Sequence, residues 1–329
     1  AVLAEAKENV VKGEVFDQWE QRLNAPGEVS KDPLKDQLKP LINHYQQGHL
    51  QQALDDAKQL LKQFPNSIVL YNIVGASHAG LKQFDAAIDS YKQALKIKPG
   101  DAVFYSNMGN ALKDKGDLEA AMDNYKQALK IKPDFVEAYN NMGIALKDKG
   151  DLESAIDSFK QALKIKPDFA EAYNNMGIAL KDKGDLESAI DSFKEALKIK
   201  PNYPMAYNNM GNALTDKGGL EAALDNFKKA LKIKPDYTEA YNNMGNTLNH
   251  KGDFEAAIEC FKQALKIKPG YAEAYYNLSY PYLLQGNVEQ GFNFYESRLR
   301  KKKRTVAPAR ANLIWDGEKS LSGKHFVIY

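Results

Sequence analysis

Prolines stand at 65, 99, 133, 167, 201, 235 and 269, each 34 residues after the one before. A strict period of that length confines the chain to a solenoid: each unit is one supersecondary element that cannot bury its apolar face alone and must stack on its neighbours. Units starting at 34, 68, 102, 136, 170, 204, 238 and 272 cover residues 34–305. Units 136–169 and 170–203 differ only at Val136/Ala170, Gln161/Glu195, Asp168/Asn202 and Phe169/Tyr203. The first and last units are visibly degenerate.

The period within a unit is helical. In unit 102–135, Tyr105, Met108, Gly109 and Leu112 fall at i, i+3, i+4 and i+7, the stripe of a first helix, A. Lys115-Gly116-Asp117 offers a glycine to end it and an aspartate to cap the next. Leu118, Ala121, Met122, Tyr125, Ala128, Leu129 and Ile131 form a second stripe, helix B, closed by Lys130-Ile131-Lys132-Pro133. Asp134/Glu137, Asp168/Glu171 and Asp236/Glu239 have the spacing of a capping box that would restart each unit. The glycines 109, 143, 177, 211 and 245 each cost helix A roughly 1 kcal/mol relative to alanine. Small residues facing them on helix B (Ala121 and Ala128, with their 34-residue counterparts) predict a close helix crossing, with Tyr125, Phe159, Phe193, Phe227 and Phe261 filling the space between units.

These positions carry a resemblance. The sequence is similar to the tetratricopeptide repeat family, with its Tyr, Leu, Gly, Tyr, Ala, Phe/Tyr, Ala, Pro signature over 34 residues. The resemblance implies an all-α fold: about eight antiparallel helix pairs stacked into a right-handed superhelix, with A helices lining the concave face. Unit 34–67 departs from the signature with Leu41 at the small-residue site, Pro40 in helix A and Ala57 where an aromatic belongs. Its helix A is expected to be short or to begin at Pro40. Unit 272–305 departs with Pro281 inside helix A and Gly291 and Arg298 at alanine sites. Both read as terminal caps.

Asparagine is a mediocre helix former, yet helix A repeats it: Asn107, Asn141, Asn175, Asn209, Asn243 and Asn277 in one row, Asn140, Asn174, Asn208 and Asn242 beside them, and Asn110, Asn212 and Asn246 one turn on, where Ile144 and Ile178 stand in the middle units. An amide both donates and accepts, so such a row suits the backbone of an extended peptide without demanding a sequence. The row of six resembles the asparagine ladder in the tetratricopeptide arm of O-linked N-acetylglucosamine transferase, which implies capture of polypeptides. The same residues could instead bond the neighbouring unit and set the pitch of the stack. Chaperone-adaptor arrays clamp a carboxylate with cations on helix A, whereas Glu137, Glu171, Glu239 and Glu273 occupy one clamp position here. Lys113, Lys147 and Lys181, next to Asp114, Asp148 and Asp182, predict a mixed solvated rim.

Composition narrows the partners. Lys+Arg 45 against Asp+Glu 43 leaves a net charge of +2, so no chain-wide basic field exists to hold nucleic acid. With a mean hydropathy of −0.54 and no long apolar run, neither a membrane span nor a signal peptide is expected. One cysteine, Cys260, and five scattered histidines provide no disulfide and no metal-ligand spacing. A reducing cytoplasm is expected, with no cofactor and no catalytic constellation.

The ends differ from the array. Residues 1–33 read as an amphipathic helix and a linker: the helix spans 1–24, with Leu3, Ala6, Val10, Phe16, Trp19 and Leu23 near one face, and Ala25-Pro26-Gly27 breaks it. Arg298–Arg304 holds six basic residues in seven and reads as a solvated helix end. Residues 306–329 run through Trp315-Asp316-Gly317 and Gly323-Lys324 into the strand-like His325–Tyr329. This stretch resembles the junction of bacterial tetratricopeptide proteins that carry a glycosyltransferase-like domain, and implies the start of an α/β domain. The functional expectation is a scaffold binding extended protein segments in its groove. The alternatives are the substrate-recruiting arm of such an enzyme and a self-associating structural module.

Overall fold

A computed structural model of the chain describes residues 33–300. The terminal readings, the helix and linker of 1–33 and the domain start of 306–329, lie outside the described residues. Within them are sixteen α-helices and no strand. They fall in eight consecutive pairs: α1 (Pro33–Gln46) with α2 (Leu50–Gln63), α3 (Ile68–Gly80) with α4 (Phe84–Ile97), α5 (Ala102–Lys115) with α6 (Leu118–Ile131), and α7 (Val136–Lys149) with α8 (Leu152–Ile165). Then follow α9 (Ala170–Lys183) with α10 (Leu186–Ile199), α11 (Pro204–Asp216) with α12 (Leu220–Ile233), α13 (Thr238–Lys251) with α14 (Phe254–Ile267), and α15 (Ala272–Leu284) with α16 (Val288–Arg300). The expected A and B helices are thus present in every unit. The chain divides into two compact units, Ala1–Lys183 and Gly184–Tyr329. In each, every helix packs on its neighbours in sequence and A helices meet the next A helix.

Turn chemistry explains why the pairs form. Gly116, Gly150 and Gly252 end their A helices at φ +97°, +92° and +85°, a left-handed conformation that side chains other than glycine rarely adopt. Asp117, Asp151, Asp185 and Asp253 then cap the B helices, each accepting a backbone N–H three residues on at 3.1–3.2 Å.

The capping box between units does not form. The N-cap residues of α7 and α13 are Phe135 and Tyr237, one position past Asp134 and Asp236, and neither cap makes a side-chain hydrogen bond. The aromatic takes the cap because its ring is wanted in the stack: Phe135 is buried. A lysine lies over that ring in five successive joints, Lys132 on Phe135, Lys166 on Phe169, Lys200 on Tyr203, Lys234 on Tyr237 and Lys268 on Tyr271, at 4.5–5.3 Å. Nor does the first A helix begin at Pro40. α1 runs from Pro33 through it, as α15 runs through Pro281.

The helical glycines have a different cause from the expected meeting of small residues. A Cβ on Gly109 would lie 2.6 Å from Cε1 of Tyr125, and one on Gly143 2.6 Å from Cε1 of Phe159; Gly75, Gly211 and Gly245 meet Tyr91, Phe227 and Phe261 in the same way. The ring of helix B rests on the glycine of its own unit's helix A. Its other side closes on the next unit, where Tyr125 clusters with Ala145 and Phe159 with Ala179. Unit 34–67 inverts the sizes: Leu41 stands at the glycine position and Ala57 at the aromatic one, both in one buried cluster.

Candidate functional site

The asparagine row is built by helix A, where three positions recur 34 residues apart from unit to unit. Asn107, Asn175, Asn243 and Asn277 each donate an amide N–H to the amide oxygen of the preceding A helix: to Asn72, Asn140, Asn208 and Asn242, at 2.9, 3.0, 3.0 and 2.9 Å. Asn140 and Asn208 in turn donate, at 3.4 Å, to the side-chain oxygens of Asn141 and Asn209. The row therefore clips A helix to A helix, the structural role weighed from sequence. Asn72, an acceptor in this chain of amides, was not picked out by the sequence reading, although it precedes a unit that carries its partner.

The two asparagine positions differ in access. Asn140, Asn174, Asn208 and Asn242 are buried, at most 8 % exposed. They lie behind the row, out of reach of a guest chain. Asn107, Asn141, Asn175, Asn209, Asn243 and Asn277 are half-buried and border solvent. Asn141 differs from its counterparts because Ser106 replaces asparagine in the helix before it, and its N–H2 group has no partner among the described residues.

The third position splits by its neighbour. The Tyr125 hydroxyl donates to the Asn110 side-chain oxygen at 2.7 Å. Burial pushes the Tyr125 phenol well above its usual range, with Asp114 and Asp148 adding to the shift, so it remains a donor. Phe227 and Phe261 stand at the tyrosine position in the units of Asn212 and Asn246, and those two half-buried amides make no side-chain hydrogen bond among the described residues.

The rim expected from sequence is present and joined to a second charge pattern. Lys113 and Lys147 pair with Asp114 and Asp148, at 2.5 and 2.8 Å. Two residues further along each A helix, Lys115, Lys149, Lys183, Lys217 and Lys251 reach back thirty residues to Asp85, Glu119, Glu153, Glu187 and Glu221 on the preceding B helix, at 2.5–3.5 Å. Such exposed pairs are worth little individually. Their thirty-residue spacing is legible in the sequence once the hairpins are known to stack. Among the described residues, no group of three or more His, Cys, Asp or Glu is placed to hold a metal ion, and no helix is long and apolar enough to cross a membrane.

Comparison with known proteins agrees with this architecture. A model of the TPR repeat matches residues 75–116, 109–150, 145–184, 179–218 and 211–249, and tetratricopeptide repeat models match 42–67 and 238–271. With more than half its length matched, the chain belongs to the tetratricopeptide repeat family, whose arrays are protein-interaction scaffolds. The Cut9-Hcn1 hetero-tetramer of APC/C shares the fold, with a TM-score of 0.61 at 15 % identity over 88 % of this chain and 57 % of that one. Similar segments occur in MamA, 30 % identical over 50 % of this chain and 97 % of that one, and in YrrB, a TPR protein with an unusual peptide-binding site, 26 % identical over 57 % and 96 %; both superpose with a TM-score of 0.45. Comparison with curated protein sequences gives no match.

Proposed function

We propose that this chain binds extended segments of other proteins along its A helices, with the half-buried asparagines hydrogen-bonding the guest's backbone. The observation that carries the reading is the amides' unused capacity. A primary amide has two N–H donors and an oxygen with two lone pairs, and clipping uses one donor each of Asn107, Asn175, Asn243 and Asn277. The N–H2 groups of Asn141, Asn212 and Asn246 are free of protein partners among the described residues. An extended backbone presents one donor and one acceptor per residue, which is what such a row can meet. The buried Asn140, Asn208 and Asn242 hold the row in register. A reducing, cytoplasmic setting fits Cys260, a buried free thiol pushed up to about 11 chiefly by that burial. The reading as an enzyme's recruiting arm rests on 306–329, outside the described residues.

The two kinds of asparagine separate binding from folding. Panning a displayed library of random dodecapeptides should enrich binders on the parent chain. The triple variant Asn141→Ala/Asn212→Ala/Asn246→Ala should lose that enrichment, with its urea midpoint lowered by no more than the loss of the one long hydrogen bond that Asn141 accepts from Asn140. Asn175→Ala/Asn243→Ala should lose enrichment and also stability, at roughly 0.5–1.5 kcal/mol per hydrogen bond. Binders that the triple variant retains at full strength, or a parent that enriches none, would remove the amide row from the function.

A further inference from the structure

The isoleucines of the two middle units are not required by packing. In α7, Glu137, Asn141, Ile144 and Asp148 stand at i, i+4, i+7 and i+11, and Glu171, Asn175, Ile178 and Asp182 do the same in α9. At about 100° per residue the four positions fall within roughly 60° of one another, so they share one face of each helix, and none of them is buried. Ile144 is half-buried and packs against the cluster of Ala155, Phe159 and Ala179. The ring does not demand an isoleucine. Phe227 and Phe261 stand at the same helix-B position in the units of Asn212 and Asn246, and those asparagines are half-buried as well. What distinguishes α7 and α9 therefore lies on the solvent side, where an aliphatic side chain replaces an amide twice in succession.

We infer that Ile144 and Ile178 select the guest: they take a polyproline II segment carrying two aliphatic side chains three residues apart. The inference rests on the amide row as the binding site, and it concerns only the compact unit Ala1–Lys183, which contains both helices. Asn141 has its N–H2 group free, and Asn175 keeps one donor beyond its bond to Asn140. Ile144 and Ile178 each follow their asparagine by three residues, about 4.5 Å along the helix, which is the reach of one side chain from a backbone held on the amides. α7 and α9 are neighbours, joined by the 3.0 Å bond from Asn175 to Asn140. Packed helices lie about 8–10 Å apart, and an extended chain covers that distance in three residues at ~3.1–3.4 Å each. In a β-strand, residues three apart point to opposite faces. Polyproline II turns once in three residues and about 9.3 Å, so residues i and i+3 fall on the same side. It makes no internal hydrogen bonds, which leaves its donors and acceptors to the amides. A guest in that form sets one of the two side chains against Ile144 and the other against Ile178, and the apolar surface withdrawn from water gives the preference.

Dodecapeptides enriched on the full chain and lost on the asparagine triple variant should share leucine, isoleucine, valine or proline at positions i and i+3. For the leading synthetic peptide, read by fluorescence anisotropy, serine at either position should weaken binding roughly tenfold. Ile144→Asn/Ile178→Asn installs the residue type that the same helix position carries at Asn212 and Asn246, so far-UV helicity should be unchanged. That variant should bind the leading peptide at least about tenfold more weakly, and panning on it should enrich polar residues at i and i+3. Enriched peptides that lack the spaced pair overturn the inference and leave the amide row standing. Undiminished binding of the serine peptides, or of the leading peptide to the isoleucine double variant, does the same. A parent chain that enriches no peptide removes the amide row itself, and this inference with it.

Discussion

At the scale of single residues, the stack rests on a glycine and a ring. Gly143 gives up helix propensity because its missing Cβ is where the Phe159 ring lies, and that ring is fully buried. Gly143→Leu would force the ring out of a site closed on its other side by Ala179, so a loss of 1–3 kcal/mol or more is expected, about what overpacking a filled core costs. Adding Phe159→Ala should recover part of that loss in a double-mutant cycle read by urea denaturation; strictly additive effects would show that the two do not share the space. The sequence flagged the glycine as costly but pointed to alanines as its partner. Ring and glycine are sixteen residues apart in chain order, and only the folded hairpin shows which face of the ring meets which helix. Leu41 and Ala57 carry the same lesson: each breaks the repeat signature, yet the exchange conserves the volume they fill together.

At the scale of the helix, ends matter more than interiors. Asp151 accepts from the Ser154 N–H at 3.1 Å, and Asp151→Ala should lower stability by about 1 kcal/mol. Asp134→Ala should leave the denaturation midpoint within measurement error, because the cap of α7 is Phe135 and Asp134 is exposed. A measurable cost at Asp134 would reinstate the capping box. The glycine–aspartate turn was legible because its chemistry is local: a left-handed glycine followed by a cap needs nothing from the rest of the chain. The joint after the proline was misread by one position because its choice is tertiary, a ring wanted in the stack and covered by a lysine. Pro40 and Pro281 make the same point from the other side, since packing on neighbouring helices holds α1 and α15 continuous through a residue that would break a lone helix.

At the scale of the whole molecule, each hairpin depends on the ones beside it. Units 136–169 and 170–203 share all but four residues, so deleting 136–169 should leave a folded chain: α6 would meet α9 with nearly the side chains that α7 offers it now. We expect unchanged helicity per residue, a smaller urea m-value and a lower midpoint, measured by circular dichroism; a molten product would mean that stacking is not local. The period alone determined the fold class, the helix pairs and the glycine–aspartate turns within them, because 34-residue self-similarity and helical spacing are properties of the chain read in order. What only the tertiary structure decided is how the asparagines divide. One set is buried behind the row, another borders solvent, and Asn141, Asn212 and Asn246 keep free N–H2 groups because residues up to thirty-five positions away are Ser106, Phe227 and Phe261. A side chain's hydrogen-bonding capacity is written in its residue type, but how much of it is left over depends on what the fold brings alongside.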